Sequence, residues 1–210
     1  MKVRKLLMLG LAPLMLACGG SGEEEEATEE EVVTEEKCTY SYDAESTVLT
    51  WTAFKLTEKV GVDGTFDEIN VTANESDDMF GVLTGATFEI PVSSVNTQDA
   101  ERDAKLRNSF FGNFESTGMI TGSINSIDGS SASVSITING QTKDYEGEVS
   151  VEGETVTMKA VMDILDFDGQ VAMDSLGVVC AEKHTGPDGV NKLWSDVAIA
   201  VKTTLVKNCE

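Results

Sequence analysis

Along residues 133–138 polar and apolar side chains alternate without exception: Val134, Ile136 and Ile138 fall on one side of an extended chain, Ser133, Ser135 and Thr137 on the other. A period of two marks a strand with one dry face and one wet face. A chain made of such strands buries its dry faces only by stacking sheets or by curling one sheet onto itself. Comparable runs recur over residues 48–56, 66–72, 82–92, 119–127, 145–151, 156–165 and 193–206. Asp63-Gly64, Asp128-Gly129, Asn139-Gly140 and Glu152-Gly153 supply turn chemistry between them. Eight strands with mostly local connections predict an all-β fold, a barrel or a sandwich. A barrel of eight strands either fills with its own side chains or encloses one small ligand. Charged residues at alternate positions, such as Lys55, Glu89, Glu146, Glu148 and Lys159, favour a soluble barrel over one that faces lipid.

One stretch breaks the β pattern. Residues 95–111, VNTQDAERDAKLRNSFF, combine a polar turn (Asn96, Thr97), early acids (Asp99, Glu101, Asp103), late bases (Lys105, Arg107) and a closing Phe110-Phe111 pair. Those charges complement the dipole of a helix over this stretch. Residues 171–180 fit a short helix or an irregular apolar turn, and residues 181–192 read as a polar loop that exposes His184.

The N-terminus is of another kind. Lys2, Arg4 and Lys5 precede an apolar run from Leu6 to Ala17 that is too short for a permanent membrane span and matches a secretory signal. The run ends in Met15-Leu16-Ala17-Cys18-Gly19, the pattern of a bacterial lipoprotein processing site. Cys18 is therefore the expected acylated residue, residues 1–17 the signal peptide and residues 18–37 a tether. Nine glutamates crowd between Glu23 and Glu36, and such a segment repels itself and has little to bury. It reads either as a plain spacer or as an acidic export signal of the kind that surface lipoproteins carry. The formal net charge of −22 makes nucleic acid and anionic membrane surfaces poor partners.

The remaining 38–210 segment closely resembles the YceI-like family, lipocalin-shaped polyisoprenoid-binding proteins of bacterial envelopes. The helix at 95–111 carries most of the resemblance. Tyr42-Asp43-Ala44-Glu45-Ser46-Thr47-Val48 is similar to the family's opening motif, with Glu45 where a histidine often stands. Gly64-Thr65-Phe66, the Ile136-Thr137-Ile138-Asn139-Gly140-Gln141-Thr142-Lys143 hairpin and, weakly, Asp163–Gly169 follow in the family's order. The resemblance implies an eight-stranded antiparallel lipocalin-like barrel with one helix inserted between strands, holding a long isoprenoid or other amphiphile in an apolar interior.

Alternation then nominates Phe54, Phe66, Phe88, Ile136, Ile138, Met158, Met162, Val197 and Ile199 as ligand-lining residues, Met158 and Met162 because flexible thioethers tolerate variable chains. Arg102 and Asp103 meet a headgroup or tether the helix. In a closed barrel the first and last strands are neighbours, so Cys38 and Cys209 are positioned to form a disulfide with Cys180 left over; all three thiols reduced is the competing reading. No CxxC, metal-ligand spacing, phosphate loop or nucleophile motif is present, which points to a binding protein without cofactor or metal rather than an enzyme. The expected partners are a hydrophobic lipid ligand and the membrane, reached through the N-terminal acyl anchor in the bacterial envelope as an outer-membrane lipoprotein, periplasmic or surface-exposed. Whether a homodimer forms is left open. The alternative is a surface interaction or adhesion module whose barrel is filled with side chains.

Overall fold

The computed structural model describes residues 36–116 and 118–210. The expected signal peptide, Cys18 and the expected tether as far as residue 35 lie outside the described residues. Twelve strand segments run through the described part: β1 (Cys38–Ser41), β2 (Val48–Lys55), β3 (Val60–Phe66), β4 (Asn70–Thr72), β5 (Thr87–Pro91), β6 (Val95–Asn96), β7 (Met119–Asp128), β8 (Ser131–Ile138), β9 (Gln141–Glu152), β10 (Thr155–Asp163), β11 (Leu193–Thr204) and β12 (Val206–Cys209). Four helices interrupt them: α1 (Met79–Leu83), α2 (Ala100–Lys105), α3 (Gln170–Val179) and α4 (Ala181–His184).

Ten of the strands form one antiparallel sheet in the order β4-β5-β7-β8-β9-β10-β11-β2-β3-β6. The two ends of that order belong together. β3 runs into β4, β5 runs into β6, and the pieces pair antiparallel as Thr65↔Asn96, Phe66↔Val95 and then Asn70↔Glu89, Val71↔Phe88, Thr72↔Thr87. Between them the Asp67 N–H donates to the Ser94 carbonyl at 2.8 Å. Read as interrupted strands, β3/β4 and β5/β6 reduce the sheet to eight positions curled into a barrel. The interruption lies at the helical turn Val92–Ser94, where β5/β6 carries extra residues and the register slips.

Several sequence expectations shift in detail. Asp63-Gly64 is not a turn: it lies within β3, and the chain reverses earlier, at residues 56–59, with Leu56 and Lys59 both in the left-handed region. Gly64 is needed for another reason. It pairs with Trp51, whose indole covers it so closely that a Cβ there would fall 2.1 Å from the ring. Gly122 likewise faces Phe88, whose ring would be 2.3 Å from an added Cβ. Asn139-Gly140 is the expected hairpin turn, with positive φ at both residues. The strand predicted from Val82 starts only at Thr87, because Asp78 caps α1 by accepting the Gly81 N–H at 2.9 Å and that helix takes Val82 and Leu83 into the core.

The inserted helix is shorter than predicted. Asn96 ends β6, and Asp99 is the cap, accepting the N–H groups of Glu101 and Arg102 at 3.1 Å each. Its carboxyl is held below the usual range, foremost by the Arg102 backbone N–H. After α2 the chain passes through a π-helical turn, Leu106–Phe110, and a tight turn, Phe111–Asn113. This rotates Phe110, Phe111 and Phe114 into the core, with Phe110 edge-to-face against both others at 5.1 and 5.4 Å. Residues 170–179 are helical, so α3, like α1 and α4, adds to the single helix expected between strands.

The barrel ends are closed differently. α1 and the β1–β12 ribbon cover one, where Val82, Leu83, Val149, Val156 and Leu205 pack together and Tyr40 pairs with Ser76. Phe110, Phe111, Phe114, Ile164, Phe167 and Leu176 cover the other. Cys38 is bonded to Cys209, and the bond joins the outlying β1–β12 ribbon, not the barrel wall, in which β2 pairs with β11. Cys180 is free and buried. The residues read as an exposed loop instead contain α4, and His184 is buried with its Nδ1 unpartnered. Burial, and secondarily the charge of Lys55, lowers its pKa below the ordinary value.

Two outcomes follow from these contacts. The disulfide closes a loop with a sequence separation of 171 residues, so replacing both cysteines by serine should cost about 2–5 kcal/mol in a urea titration and steepen the denaturant slope, because the unlinked unfolded chain exposes more surface. Reductant should reproduce the loss in the native chain and have no effect on the double variant. His184 is the one histidine of the chain. Because its folded pKa is depressed, the unfolded chain takes up the proton first, and stability is full above about pH 6.5 and declines as pH falls below it. A thermal-unfolding series across that window should show the decline in the native chain and a flatter profile in His184→Gln.

Candidate functional site

Strand register decides which residues face the barrel axis. On β2 these are Leu49, Trp51 and Ala53, which sit opposite Val201, Ile199 and Val197 on β11. Those three in turn face Met158, Ala160 and Met162 on β10. β8 contributes Val134, Ile136 and Ile138, and the opposite wall is Phe66, Val71, Phe88 and Ile90. Leu106, Phe110 and Phe111 from the α2 segment, with Met173 and Leu176 from α3, lie across one end. Together they line an apolar cavity of about 240 Å³. The barrel is thus not filled by its own side chains.

Several of the polar groups that reach this wall are spent within the protein. Thr47 and Thr203 hydroxyls bond each other at 2.7 Å, and Trp51 Nε1 donates to the Thr65 carbonyl at 3.3 Å. Tyr145 donates to Asp166 at 2.8 Å, and Trp194 Nε1 to the Leu56 carbonyl at 2.8 Å. Burial first, then the Asp166 carboxylate, raises the Tyr145 pKa, so the phenol remains a neutral donor. An interior with so little hydrogen-bonding capacity suits hydrocarbon and holds water poorly.

Of the residues nominated from alternation, Phe66, Phe88, Ile136, Ile138, Met158, Met162, Val197 and Ile199 all line the cavity. Phe54 does not. The inward row of β2 is Leu49, Trp51 and Ala53, so Phe54 lies on the outer face, with the Lys59 ammonium 5.0 Å from its ring centroid. β2 carries apolar residues on both faces, and alternation alone has no sign there. Trp51 was accordingly missed, although Gly64 opposite it is a signal of an aromatic needing room. Met173 and Leu176 were missed because residues 171–180 had no assigned partner. Arg102 and Asp103 serve the fold: Arg102 pairs with Asp99 at 3.3 Å, and buried Asp103 accepts from the N–H and hydroxyl of Thr97 at 2.8 and 2.6 Å. Among the described residues no group of three or more His, Cys, Asp or Glu side chains is placed to hold a metal.

The fold has known counterparts. A polyisoprenoid binding domain from Saccharophagus degradans, implicated in plant cell wall breakdown, superposes with a TM-score of 0.56 at 15% identity, over 81% of this chain and 98% of that one. BcnA of Burkholderia cenocepacia superposes with a TM-score of 0.50 at 14% identity, over 79% of this chain and 99% of that one. At these identities the likeness establishes the fold. No curated protein matches by sequence. The model of the YceI-like domain matches residues 40–205, which span the barrel wall and the inserted helix segment, and the chain therefore belongs to the YceI-like family.

Proposed function

We propose that this protein binds a long-chain amphiphile, an isoprenoid or a fatty chain, inside the barrel, and carries or sequesters it without chemical change. The apolar cavity inside the barrel is the observation that carries this reading. Burial of hydrocarbon there gains about 25 cal/mol per Å², and Met158, Met162 and Met173 provide a wall that adapts to chains of different shape. The likeness to a polyisoprenoid binding domain supports the same ligand class. The signal-like N-terminal sequence and the Cys38–Cys209 disulfide support export to an oxidising compartment. Acylation at Cys18 would hold the barrel to the outer membrane at the end of an acidic tether, on its periplasmic or its outer side.

Organic-solvent extraction of the purified full chain, followed by mass spectrometry, tests this reading. A stoichiometric long-chain lipid other than the acyl anchor is the expected result. An empty extract, together with no uptake of added polyprenol or fatty acid, would return the barrel to the role of an interaction module. Ala160 lies midway along the inner row of β10, opposite Ile199. Ala160→Phe should therefore cut polyprenol uptake about tenfold or more while unfolding remains cooperative, at a packing cost of about 1–3 kcal/mol.

A further inference from the structure

α3 is apolar on two sides. Its inner side carries Met173 and Leu176, which line the cavity, and Ala172 and Cys180, which are buried. Val171 and Val178 lie seven residues and so about two turns apart, share the other side and are 63% and 76% exposed. Val179, Leu165 in the turn before the helix and Val190 in the loop after α4 are exposed as well. Five of the eleven large hydrophobic residues exposed among the described residues thus fall between residues 165 and 190, the stretch that contains this end cover.

The outer side has little with which to recognise a protein. Its polar side chains are engaged locally: the Gln170 amide donates to Asp174 at 2.7 Å, and the Ser175 hydroxyl oxygen accepts from the Asn113 amide at 3.1 Å. α3 carries no lysine or arginine. Its few exposed valines also fall far short of the roughly 20–30 residues and about 800 Å² that each partner of a stable protein pair contributes. A fluid hydrocarbon surface requires neither directional bonds nor a matched area. The exposed acids of the same stretch, Asp166, Asp168, Asp174 and Glu182, outnumber Lys183 and are repelled by anionic lipid. The surface that fits is a bilayer of zwitterionic lipid.

On the reading that the cavity holds an amphiphile, we propose that the outer side of α3 docks on a zwitterionic bilayer and that the ligand passes between membrane and cavity at this end. A helix that meets lipid on one side and the cavity on the other joins two apolar phases, so the chain crosses with little exposure to water. The opposite end is less suited. There the disulfide-joined β1–β12 ribbon lies over the barrel, and its strands contribute no residue to the cavity wall.

The test uses the full chain with Cys18→Ala, so that no acyl anchor reaches the membrane, and vesicles of phosphatidylcholine. An acrylodan label at Val178→Cys, attached under native conditions in which Cys180 is buried, should shift to the blue when vesicles are added. A label at Val48→Cys, 58% exposed at the ribbon end, should not. Transfer of an anthroyloxy-labelled stearate from protein to vesicles should quicken in proportion to vesicle concentration. Val171→Asp combined with Val178→Asp should slow that transfer about tenfold, since the valines no longer bury in lipid, and leave the affinity for the stearate as it was. Val48→Asp combined with Val206→Asp adds the same charge and should change neither. A label that stays in water, a rate independent of vesicle concentration, or a rate untouched by the α3 substitutions would overturn the docking assignment while leaving the carrier reading standing. A chain that binds neither the stearate nor farnesol would overturn both.

Discussion

The short antiparallel contact between β3/β4 and β5/β6 is what turns a sheet into a container. Without Phe66↔Val95 and Val71↔Phe88 the sheet would present two unpaired edges, each a template for association, and its apolar face would lie open to water. With them, Trp51, Phe66, Phe88, Ile136 and Val197 line a common apolar space. The seam is also the thinnest part of the wall. Its pairing is broken where Val92–Ser94 form a helical turn, and the side chain of Asp103, held by Thr97, anchors α2 immediately beyond it.

Room inside the barrel depends on where small residues stand. Trp51 and Phe88 each lie over a glycine on the neighbouring strand, Gly64 and Gly122, so two large rings lie along the wall instead of crossing the lumen. Ala53 and Ala160 leave space at two further points of the inner surface. A side chain as large as leucine at each of these positions would convert the cavity into an ordinary packed core. The end covers act in the opposite sense. The aromatic cluster of Phe110, Phe111 and Phe114 and the buried Val82 and Leu83 remove water from the two ends, which leaves the space between them dry.

Much of the fold and most of the candidate site were legible in the residues, and the exceptions share a cause. Ile136 and Ile138 alternate with Ser135 and Thr137, so their inward direction is unambiguous once any barrel is assumed. On β2 the two rows are Val48, Thr50, Thr52, Phe54 and Leu49, Trp51, Ala53, Lys55. Both carry apolar residues, and the second ends in a lysine that invites an outward assignment. The structure turns that row inward because its partners on β11, Val197, Ile199 and Val201, face the axis, and paired residues share a face. His184 illustrates the same limit. Its neighbours Lys183 and Thr185 are exposed, yet the packing of α4 beside α3 buries the imidazole.

What the sequence by itself determined is local: the period of two that makes strands, the Asn139-Gly140 turn that pairs β8 with β9, the acids and bases that cap α2, and through their order the family. These depend on residues close together in the chain, and their physics is complete over a few positions. Tertiary structure alone decided which face of β2 is inner, that Gly64 lies under a ring and not in a turn, that Cys38 finds Cys209, and that Lys55 pairs with Leu193 of the cavity wall. Each of these depends on a partner far away in sequence, brought near only when the sheet curls and closes.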